Sequence, residues 1–232
     1  MNRRSKKGKV CAYCGVGNPE TMDHVPPKGL FPTPLPCDLI TVPCCDKCRD
    51  GWSNDDEYFR AVLLPASNLA ADPRARKQLE VVFRSLRKSN KIGFSTMINA
   101  SIKERDVVTD AGIIVGREPT IRYNRDRVAR VLSRIVRALF FKELDYPVPP
   151  GCPVDARLDQ LGEAATTMSK TVRFRPIRWA AGRMFLYTYS RAGDDPNATL
   201  WLGAFFEQIS FAGMTGLKNE KNLGATGSLT SG

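Results

Sequence analysis

Residues 11–14 form the sequence Cys11-Ala-Tyr-Cys14, and residues 45–48 form the sequence Cys45-Asp-Lys-Cys48. Two residues between paired cysteines let both thiolates of one turn point at a single tetrahedral ion, and two such turns complete a four-thiolate site. A segment of about 50 residues buries too little apolar surface to fold unaided. A structural zinc contributes on the order of 10 kcal/mol of apparent binding energy, which becomes folding energy. The spacing therefore predicts a structural zinc site made of Cys11, Cys14, Cys45 and Cys48.

The remaining cysteines are weaker candidates as zinc ligands. The chain has seven cysteines, and six of them lie within residues 11–48. A secreted disulfide scaffold normally has an even number of cysteines behind a signal peptide, and this chain shows neither feature. A reducing compartment is therefore expected. Cys44 is an alternative ligand, although only Cys45 has the two-residue spacing to the last cysteine of the second pair. Cys37 and Cys152 are expected to be core thiols.

A single acid–histidine pair lies between the two cysteine pairs. His24 is the only histidine of the chain, and it directly follows Asp23. An imidazole titrates near neutral pH and can take a proton from water, while an adjacent carboxylate can bind a divalent cation. A lone histidine is more often a hydrogen-bonded structural residue. The position of His24 beside Asp23, within a zinc-bound loop of a basic protein, favours a catalytic base instead.

Four short motifs, taken together, resemble an HNH endonuclease of the ββα-metal (His-Me finger) superfamily. The resemblance covers about residues 10–62, and beyond them there is only a general similarity to the basic α+β extension of some bacterial HNH proteins. The motifs are Cys11-x-x-Cys14, Asp23-His24-Val-Pro-Pro-Lys28, Val42-Pro43-x-Cys45-x-x-Cys48 and Gly51-x-Ser53-x-Asp55-Asp56-Glu57-Tyr58.

The resemblance implies a metal-dependent endonuclease that hydrolyses phosphodiester bonds of DNA, and the sequence leaves open whether RNA is the substrate instead. The Asp23–His24 pair would lie on a short hairpin that packs against the helix after the second cysteine pair. Asp23 would bind Mg²⁺ or Mn²⁺, and His24 would activate the attacking water. The four cysteines saturate their own ion, so the zinc would be structural and distinct from the catalytic metal.

One position departs from the pattern of the family, which has Asn directly after the last cysteine. Arg49 occupies this position here, and a cation cannot bind a metal. Asp50, or Asn54 at the start of the next helix, could supply the missing oxygen. The acids at 55–57 are interpreted as first-turn residues that complement the helix dipole. The departure leaves a catalytically silent, zinc-dependent nucleic-acid-binding protein as the alternative function.

The fold class expected from these features is α+β. A zinc-stabilised ββα-metal (treble-clef-like) N-terminal module is followed by an α+β accessory domain that positions nucleic acid. The expected divisions are a basic arm at 1–9, the HNH zinc and nuclease module at 10–66, the accessory domain at 70–217 and a flexible tail at 218–232. No apolar run approaches the length of a membrane span, so we expect a cytoplasmic protein with no membrane contact.

Local patterns predict the helices and strands. Ser53 with Asp56 predicts a capping box that opens a helix, which Pro65 ends. Asp72-Pro73 predicts the start of another helix, with Leu79, Val82, Phe83 and Leu86 facing the core. The further predicted elements are two β-like runs at 106–122 with a turn at Ala111-Gly112, a helix at 125–144, strands at 172–175 and 184–189 with a turn at Ala181-Gly182, and one apolar segment at 200–211.

The charge of the chain favours a polyanionic partner. Its net charge is +11, with 35 Lys and Arg against 24 Asp and Glu. A helical spacing places four arginines of the long helix on one face without the interleaved glutamates of ion-paired helices, although such a face is often only solvated. A protein partner or a homo-oligomer is the other reading of this surface. The predicted phosphate-binding residues are Arg127, Arg130, Arg134, Arg137 and Lys28, with a second concentration at Arg173, Arg175, Arg178 and Arg183.

Overall fold

A computed structural model of the chain describes residues 10–65, 69, 72–159, 166, 167, 170 and 172–216. The predicted basic arm and flexible tail lie outside the described residues. The α-helices are α1 (Asp46–Asp50), α2 (Ser53–Leu63), α3 (Pro73–Leu86), α4 (Ile92–Ser101) and α5 (Arg125–Leu144). The strands are β1 (Thr21–Val25), β2 (Ile40–Cys44), β3 (Ile102–Val108), β4 (Ile114–Ile121), β5 (Val154–Asp159), β6 (Arg178–Ala180), β7 (Phe185–Arg191), β8 (Thr199–Phe205) and β9 (Ile209–Thr215). The predicted α+β class is confirmed.

The N-terminal part is a hairpin followed by two helices. β1 and β2 pair antiparallel, with His24 opposite Thr41. The Ala12 amide donates a hydrogen bond of 2.9 Å to the Pro43 carbonyl, which joins the first cysteine turn to β2. α1 begins directly after Cys45, and α2 follows it after a short turn. The Asp23–His24 pair therefore lies on a hairpin between the two cysteine turns.

The C-terminal part is a five-stranded antiparallel sheet in the order β5-β9-β8-β7-β6. α5 packs against the β5–β9 side of this sheet. Gly213 makes the close approach of α5 to β9 possible, because a Cβ at this position would lie 2.7 Å from Val136 Cγ2. Trp201 and the rings of Phe185, Phe205 and Phe211 are fully buried between the helix and the sheet.

One hydrophobic core runs through both parts of the described chain. Phe59 of α2 meets Phe205 of β8 edge to face, with ring centroids 5.7 Å apart. Phe31, in the loop between β1 and β2, lies 6.3 Å from Phe206. Aromatic contacts of this kind contribute beyond the area that they bury. The β1–β2 hairpin is therefore seated on the same core as the C-terminal sheet.

Ion pairs join α2 to α5 at the edge of this core. Asp55 accepts hydrogen bonds from Arg127 Nε at 2.8 Å and from Arg130 Nε at 2.7 Å. The Tyr58 hydroxyl accepts a hydrogen bond from the Asn124 amide at 2.7 Å, and the Arg127 guanidinium lies 4.1 Å from the centre of the Tyr58 ring. The hydrogen bond from Arg130 is the largest influence on Asp55 and lowers the pKa of its carboxyl, although burial opposes this. The carboxylate stays charged over the neutral range, so both arginines remain bound to it.

Several predicted elements are confirmed. α5 spans Arg125–Leu144, and the Asn124 side chain caps it by accepting from the Arg127 amide. Asp72 caps α3 by accepting from the Arg74 amide, with Pro73 in the first turn. β3 and β4 form the predicted hairpin with its turn after Thr109, although the strands begin and end nearer to 102 and 121. These elements have local signals, which explains why the sequence revealed them.

Other predicted elements are wrong. Trp52 rather than Ser53 precedes α2, and no side chain caps that helix. Phe83 of α3 is 45% exposed and does not face the core. Residues 172–175 form no strand, and 200–211 is not one segment but the hairpin of β8 and β9. α4 and β5 were not predicted. Among the described residues, no helix combines the length and apolar character that a membrane crossing requires.

A double-mutant cycle between Asp55→Asn and Arg127→Gln tests the link between α2 and α5. Both side chains are largely shielded, with 18% and 22% exposure. We expect a coupling free energy of about 1 kcal/mol in urea unfolding. Charge-assisted hydrogen bonds at partly buried sites stabilise a protein more than exposed ion pairs do. The exposed pair Asp106–Arg117, with side chains 44% and 69% exposed, is the control and should couple by only a few tenths of that. Equal coupling free energies in the two pairs would show that the α2–α5 ion pair stabilises the protein no more than an exposed surface pair does.

Candidate functional site

The four predicted zinc ligands converge in the structure. The sulfur atoms of Cys11, Cys14, Cys45 and Cys48 all lie within 4.8 Å of one another, and the Cys14 and Cys45 sulfurs are 3.9 Å apart. Sulfurs bound at about 2.3 Å to a tetrahedral zinc ion would be about 3.8 Å apart. The cluster therefore fits a zinc ion.

Local backbone explains how the cysteines meet. Cys45 is the N-cap residue of α1, and the Cys48 amide donates to the Cys45 carbonyl at 3.1 Å. The Cys45 amide donates to the Cys11 sulfur at 3.5 Å. Burial opposes ionisation of Cys11, but backbone hydrogen bonds from Cys14, Cys45 and Tyr13 outweigh it and lower the pKa of this thiol from 9.0 to about 7. Burial raises the pKa of Cys14 and of Cys48, so only a bound cation would hold all four as thiolates.

The structure decides between the two adjacent cysteines. Cys45 belongs to the cluster, whereas the Cys44 thiol donates a hydrogen bond of 3.3 Å to the Cys45 carbonyl. Burial, together with the nearby Cys11 and Asp23, raises the pKa of Cys44 to about 12, so it is a neutral core thiol. Cys37 is exposed, and its prediction as a core thiol is wrong because the loop before β2 turns it outward. Cys152 is half-buried and packs against the core.

Asp23 is held by the first cysteine turn. The Tyr13 hydroxyl, between Cys11 and Cys14, donates a hydrogen bond of 2.5 Å to Asp23 Oδ2. Burial, followed by the charge of Asp23, raises the pKa of Tyr13 well above its ordinary value of 10.0. Tyr13 therefore remains a proton donor, and the Asp23 carboxylate stays oriented toward the cysteine cluster and α2.

His24 lies on the other side of the same strand. Successive side chains of a strand point to opposite faces, so Asp23 and His24 do not share a face of the hairpin. The sheet has only two strands, which makes β1 an edge strand. Burial and the nearby Lys28 ammonium lower the pKa of His24 below its ordinary value of 6.5, although the charge of Asp23 opposes them. The imidazole is therefore neutral near pH 7.

A second carboxylate acts on Asp23 from α2. Burial raises the pKa of Asp56, Arg134 lowers it, and the negative charge of Asp23 raises it further. Arg134 donates a hydrogen bond to Asp56 Oδ1, and its guanidinium lies 4.6 Å from the centre of the Trp52 ring. Sequence reasoning assigned Asp56 to the helix dipole and to a capping box with Ser53, and the capping box does not form. The contact of Asp56 with Arg134 of α5 follows from tertiary packing, which no local pattern of α2 reveals.

The two residues predicted to replace the missing Asn lie in different surroundings. The Asp50 side chain is 72% exposed and pairs with Arg49 at 3.5 Å. Asn54 is exposed, and its backbone carbonyl accepts a hydrogen bond from Arg127 at 2.8 Å. Among the described contacts, none brings Asp50 or Asn54 to Asp23. Arg49 also pairs with Asp46 at 2.7 Å, which keeps its charge on α1.

The predicted phosphate-binding arginines of α5 are mostly engaged by acids. Arg127 and Arg130 bind Asp55, as described above, and Arg134 binds Asp56. Arg137 is half-buried, and burial lowers the pKa of its guanidinium. Lys28 is exposed and follows β1 in a short 3-10 turn, Lys28–Leu30. The four arginines share one side of α5 as predicted, but three of them are held by the two carboxylates of Asp55 and Asp56.

A cleft of about 1330 Å³ lies between the cysteine turns and α5. Cys48, Trp52, Arg134 and Arg137 are among its lining residues, whereas Asp23 and His24 are not. Acids and bases both line it, so it has no strong preference for an anion. The candidate catalytic residues thus lie outside this cleft.

Comparison of the chain with protein-family models, with curated proteins and with solved structures gives no match. The likeness to HNH endonucleases therefore depends on the motifs and on the arrangement of the residues described above.

Elemental analysis of the purified protein tests the zinc site. We expect one zinc per chain, and we expect Cys45→Ser to lose both the metal and the cooperative unfolding transition, since structural zinc supplies folding energy. Cys44→Ser is the matched control, because it replaces the adjacent buried thiol, which is not one of the four clustered sulfurs. It should keep the zinc. Loss of zinc from Cys44→Ser but not from Cys45→Ser would reverse the assignment.

Proposed function

We propose that the protein is an HNH-type endonuclease that hydrolyses phosphodiester bonds of DNA with a divalent cation. The observation that carries this proposal is the placement of Asp23 and His24 on β1, between two cysteine turns whose sulfurs fit a zinc ion. α2 contacts the 3-10 turn that follows β1, and the charge of Asp23 raises the pKa of Asp56 on α2. The four cysteines saturate their own ion, so the catalytic cation binds elsewhere.

His24 is the general base of the proposed reaction. Its imidazole is neutral near pH 7 because burial and Lys28 lower its pKa, so it can take a proton from water without first losing one. The single histidine of the chain leaves no second imidazole for this step. Since β1 is an edge strand, a phosphate lying along that edge can be approached from both faces of the hairpin.

Asp23 and Asp56 form the proposed site for Mg²⁺ or Mn²⁺. Both ions prefer oxygen ligands and keep several waters, so two carboxylates suffice. Each aspartate has an oxygen outside the hydrogen bonds described, because Tyr13 binds Oδ2 of Asp23 and Arg134 binds Oδ1 of Asp56. When bound, the cation would stabilise charge on the phosphate and on the leaving oxygen. Asp50 and Asn54 are less well supported as ligands, because no contact joins them to Asp23 among the described residues.

A second candidate function has an observation in its favour. Tyr13 and Arg134 each bind one oxygen of Asp23 and of Asp56, respectively, and Arg49 stands where the HNH pattern has Asn. A chain in which these internal bonds exclude the cation would bind nucleic acid without cleaving it. The zinc cluster would be the same in both cases, so only an activity measurement separates them.

Plasmid cleavage with Mg²⁺ or Mn²⁺ tests the proposed activity. We expect His24→Ala to lower the rate by about 10² to 10⁴-fold, since this is the usual contribution of a general base. We expect Asp23→Asn to lower the cleavage rate by a similar factor. A higher metal concentration should partly restore the rate, because only the carboxylate charge is lost.

The variants are compared at equal zinc content and with matching far-ultraviolet circular dichroism spectra. Lys77→Ala, a variant of an exposed α3 residue outside the proposed site, is the control and should cleave like the wild type. Intact DNA and RNA after incubation of the wild type with either metal would reject the enzyme and favour the silent binding protein. Equal rates for His24→Ala and the wild type would reject the assignment of the base.

The pH dependence of cleavage supplies an independent test. The base works in its neutral form, so activity is lost as the pH falls through the pKa of His24. Burial and Lys28 lower that pKa, so we expect the acid limb of kcat/KM to lie below pH 6.5. Lys28→Gln removes one of the two lowering influences and should move the limb upward. A limb above pH 6.5 in the wild type would contradict the role assigned to His24.

A further inference from the structure

A group of exposed arginines without a carboxylate partner among the described residues lies beside β6. Arg173, Arg175 and Arg183 are exposed, and within the described part of the chain none of them forms an ion pair with a carboxylate. Arg178, in the same region, differs because it pairs with the buried Glu143 carboxylate at 3.0 Å. Three unpaired guanidiniums within eleven residues form a local excess of positive charge.

An exposed indole lies on β6, next to one of these arginines. Trp179 of β6 is 39% exposed, although most large aromatic side chains of the protein are buried. The Arg183 guanidinium lies 4.4 Å from the centre of the Trp179 ring. Trp179 is directly opposite Leu186 on β7, which is itself half-buried. The indole is thus fixed by a cation on one side and still presents surface to solvent.

The segment that carries Arg173 and Arg175 is attached firmly to β7. The Arg175 amide donates to the Tyr189 carbonyl at 2.8 Å. Two hydroxyl groups of β7 bind the carbonyls of the segment, Thr188 Oγ1 to Arg175 at 2.5 Å and Ser190 Oγ to Arg173 at 2.8 Å. The segment follows the sheet without being a regular strand. Its arginines therefore project from a fixed backbone.

The turn between β6 and β7 connects this surface to the proposed active-site module. Ala181, Gly182 and Arg183 have φ angles of 54°, 60° and 67°, so all three are in the left-handed region. Residues other than glycine, such as Ala181 and Arg183, rarely adopt this conformation. Asp38, in the loop between β1 and β2, accepts a hydrogen bond of 2.7 Å from the Gly182 amide. The loop that follows His24 is therefore in direct contact with the turn that places Arg183 over Trp179.

We propose that Arg173, Arg175, Trp179 and Arg183, here called the β6 surface, bind single-stranded nucleic acid. The arginines bind backbone phosphates, and a base stacks on the exposed part of the Trp179 indole. Proteins that bind single strands use two features, cations for the phosphates and exposed aromatic rings for the bases. The rings can stack because every unpaired base has a free π face. This inference rests on the proposed function, for which it names the region that holds the substrate strand.

A single strand fits this surface better than a duplex or an acidic protein does. The bases of a duplex are stacked on each other and offer no face to Trp179. An acidic protein would bind the arginines but would gain little affinity from the indole. The contribution of Trp179 to affinity therefore distinguishes a single strand from an acidic protein. DNA and RNA share the phosphates and the stacking faces, so the surface itself does not choose between them.

Fluorescence anisotropy with labelled 20-nucleotide oligo(dT) and oligo(U), and with a 20-base-pair duplex, tests the β6 surface. The binding protein carries His24→Ala, so that cleavage does not interfere. We expect Trp179→Ala to weaken single-strand binding by about tenfold, as for loss of one stacked base. We expect Arg173→Ala/Arg175→Ala to lower the slope of log Kd against log salt by about 1.4, since each phosphate contact to a single strand contributes about 0.7.

A charge-matched control removes the same charge elsewhere. Arg76→Ala/Lys77→Ala changes two exposed cations of α3 and should leave the salt slope nearly unchanged. Trp179→Phe keeps an aromatic face and should recover part of the affinity that Trp179→Ala loses. Zinc content and thermal unfolding are measured on every variant, so that misfolding is recognised. The difference between oligo(dT) and oligo(U) reports which nucleic acid is preferred.

The results separate the β6 surface from the nuclease. Unchanged single-strand affinity in Trp179→Ala and in the double arginine variant would overturn the β6 surface, even if the wild type cleaves DNA. Selective loss of single-strand affinity in those variants would support it, even if the wild type cleaves nothing. Tighter binding of the duplex than of either oligonucleotide, with no effect of Trp179→Ala, would also overturn it.

Discussion

The convergence of four cysteine sulfurs within 4.8 Å is the constraint on which the position of the candidate site depends. The first cysteine turn contains Tyr13, whose hydroxyl holds Asp23, and the second begins α1 at Cys45. The hairpin between the two turns has only two strands and cannot be stable alone. A cation that neutralises the thiolates would fix both ends of this hairpin at once. Removing it would release Tyr13, and with it the orientation of Asp23.

The elements that could be predicted are those with local signals. α5 has an Asn cap, twenty residues of helical periodicity and a proline-rich segment after it, so its bounds follow from the sequence. The turn between β8 and β9 has no such signal. Phe206 and Glu207 adopt φ angles of 53° and 65° there, a conformation that normally requires glycine or asparagine. The burial of the flanking rings decides this turn, and burial is a property of the whole fold.

The same division applies to the candidate site. The cysteine ligands were predictable because each pair lies within one turn, and even the choice of Cys45 over Cys44 followed from spacing. The relation between Asp23 and Asp56 was not predictable, because it depends on how α2 packs against the turn after β1. Arg134, which completes this group, is 78 residues from Asp56 in sequence. Contacts at that separation follow from tertiary packing, which a pattern along a single helix does not contain.

The positions and partners of the arginines say more about where a phosphate can bind than the net charge of the chain does. The net charge of +11 counts the arginines of α5 and those near β6 equally. Asp55 binds both Arg127 and Arg130, so these cations stabilise the contact between α2 and α5 and are less available to a phosphate. Beside β6, three arginines have no ion-paired acid among the described residues, and an exposed indole is added to them. The contact between Asp38 and Gly182 then joins this region to the loop that follows His24. A strand bound beside β6 would therefore lie against the same loop that leads away from the proposed base.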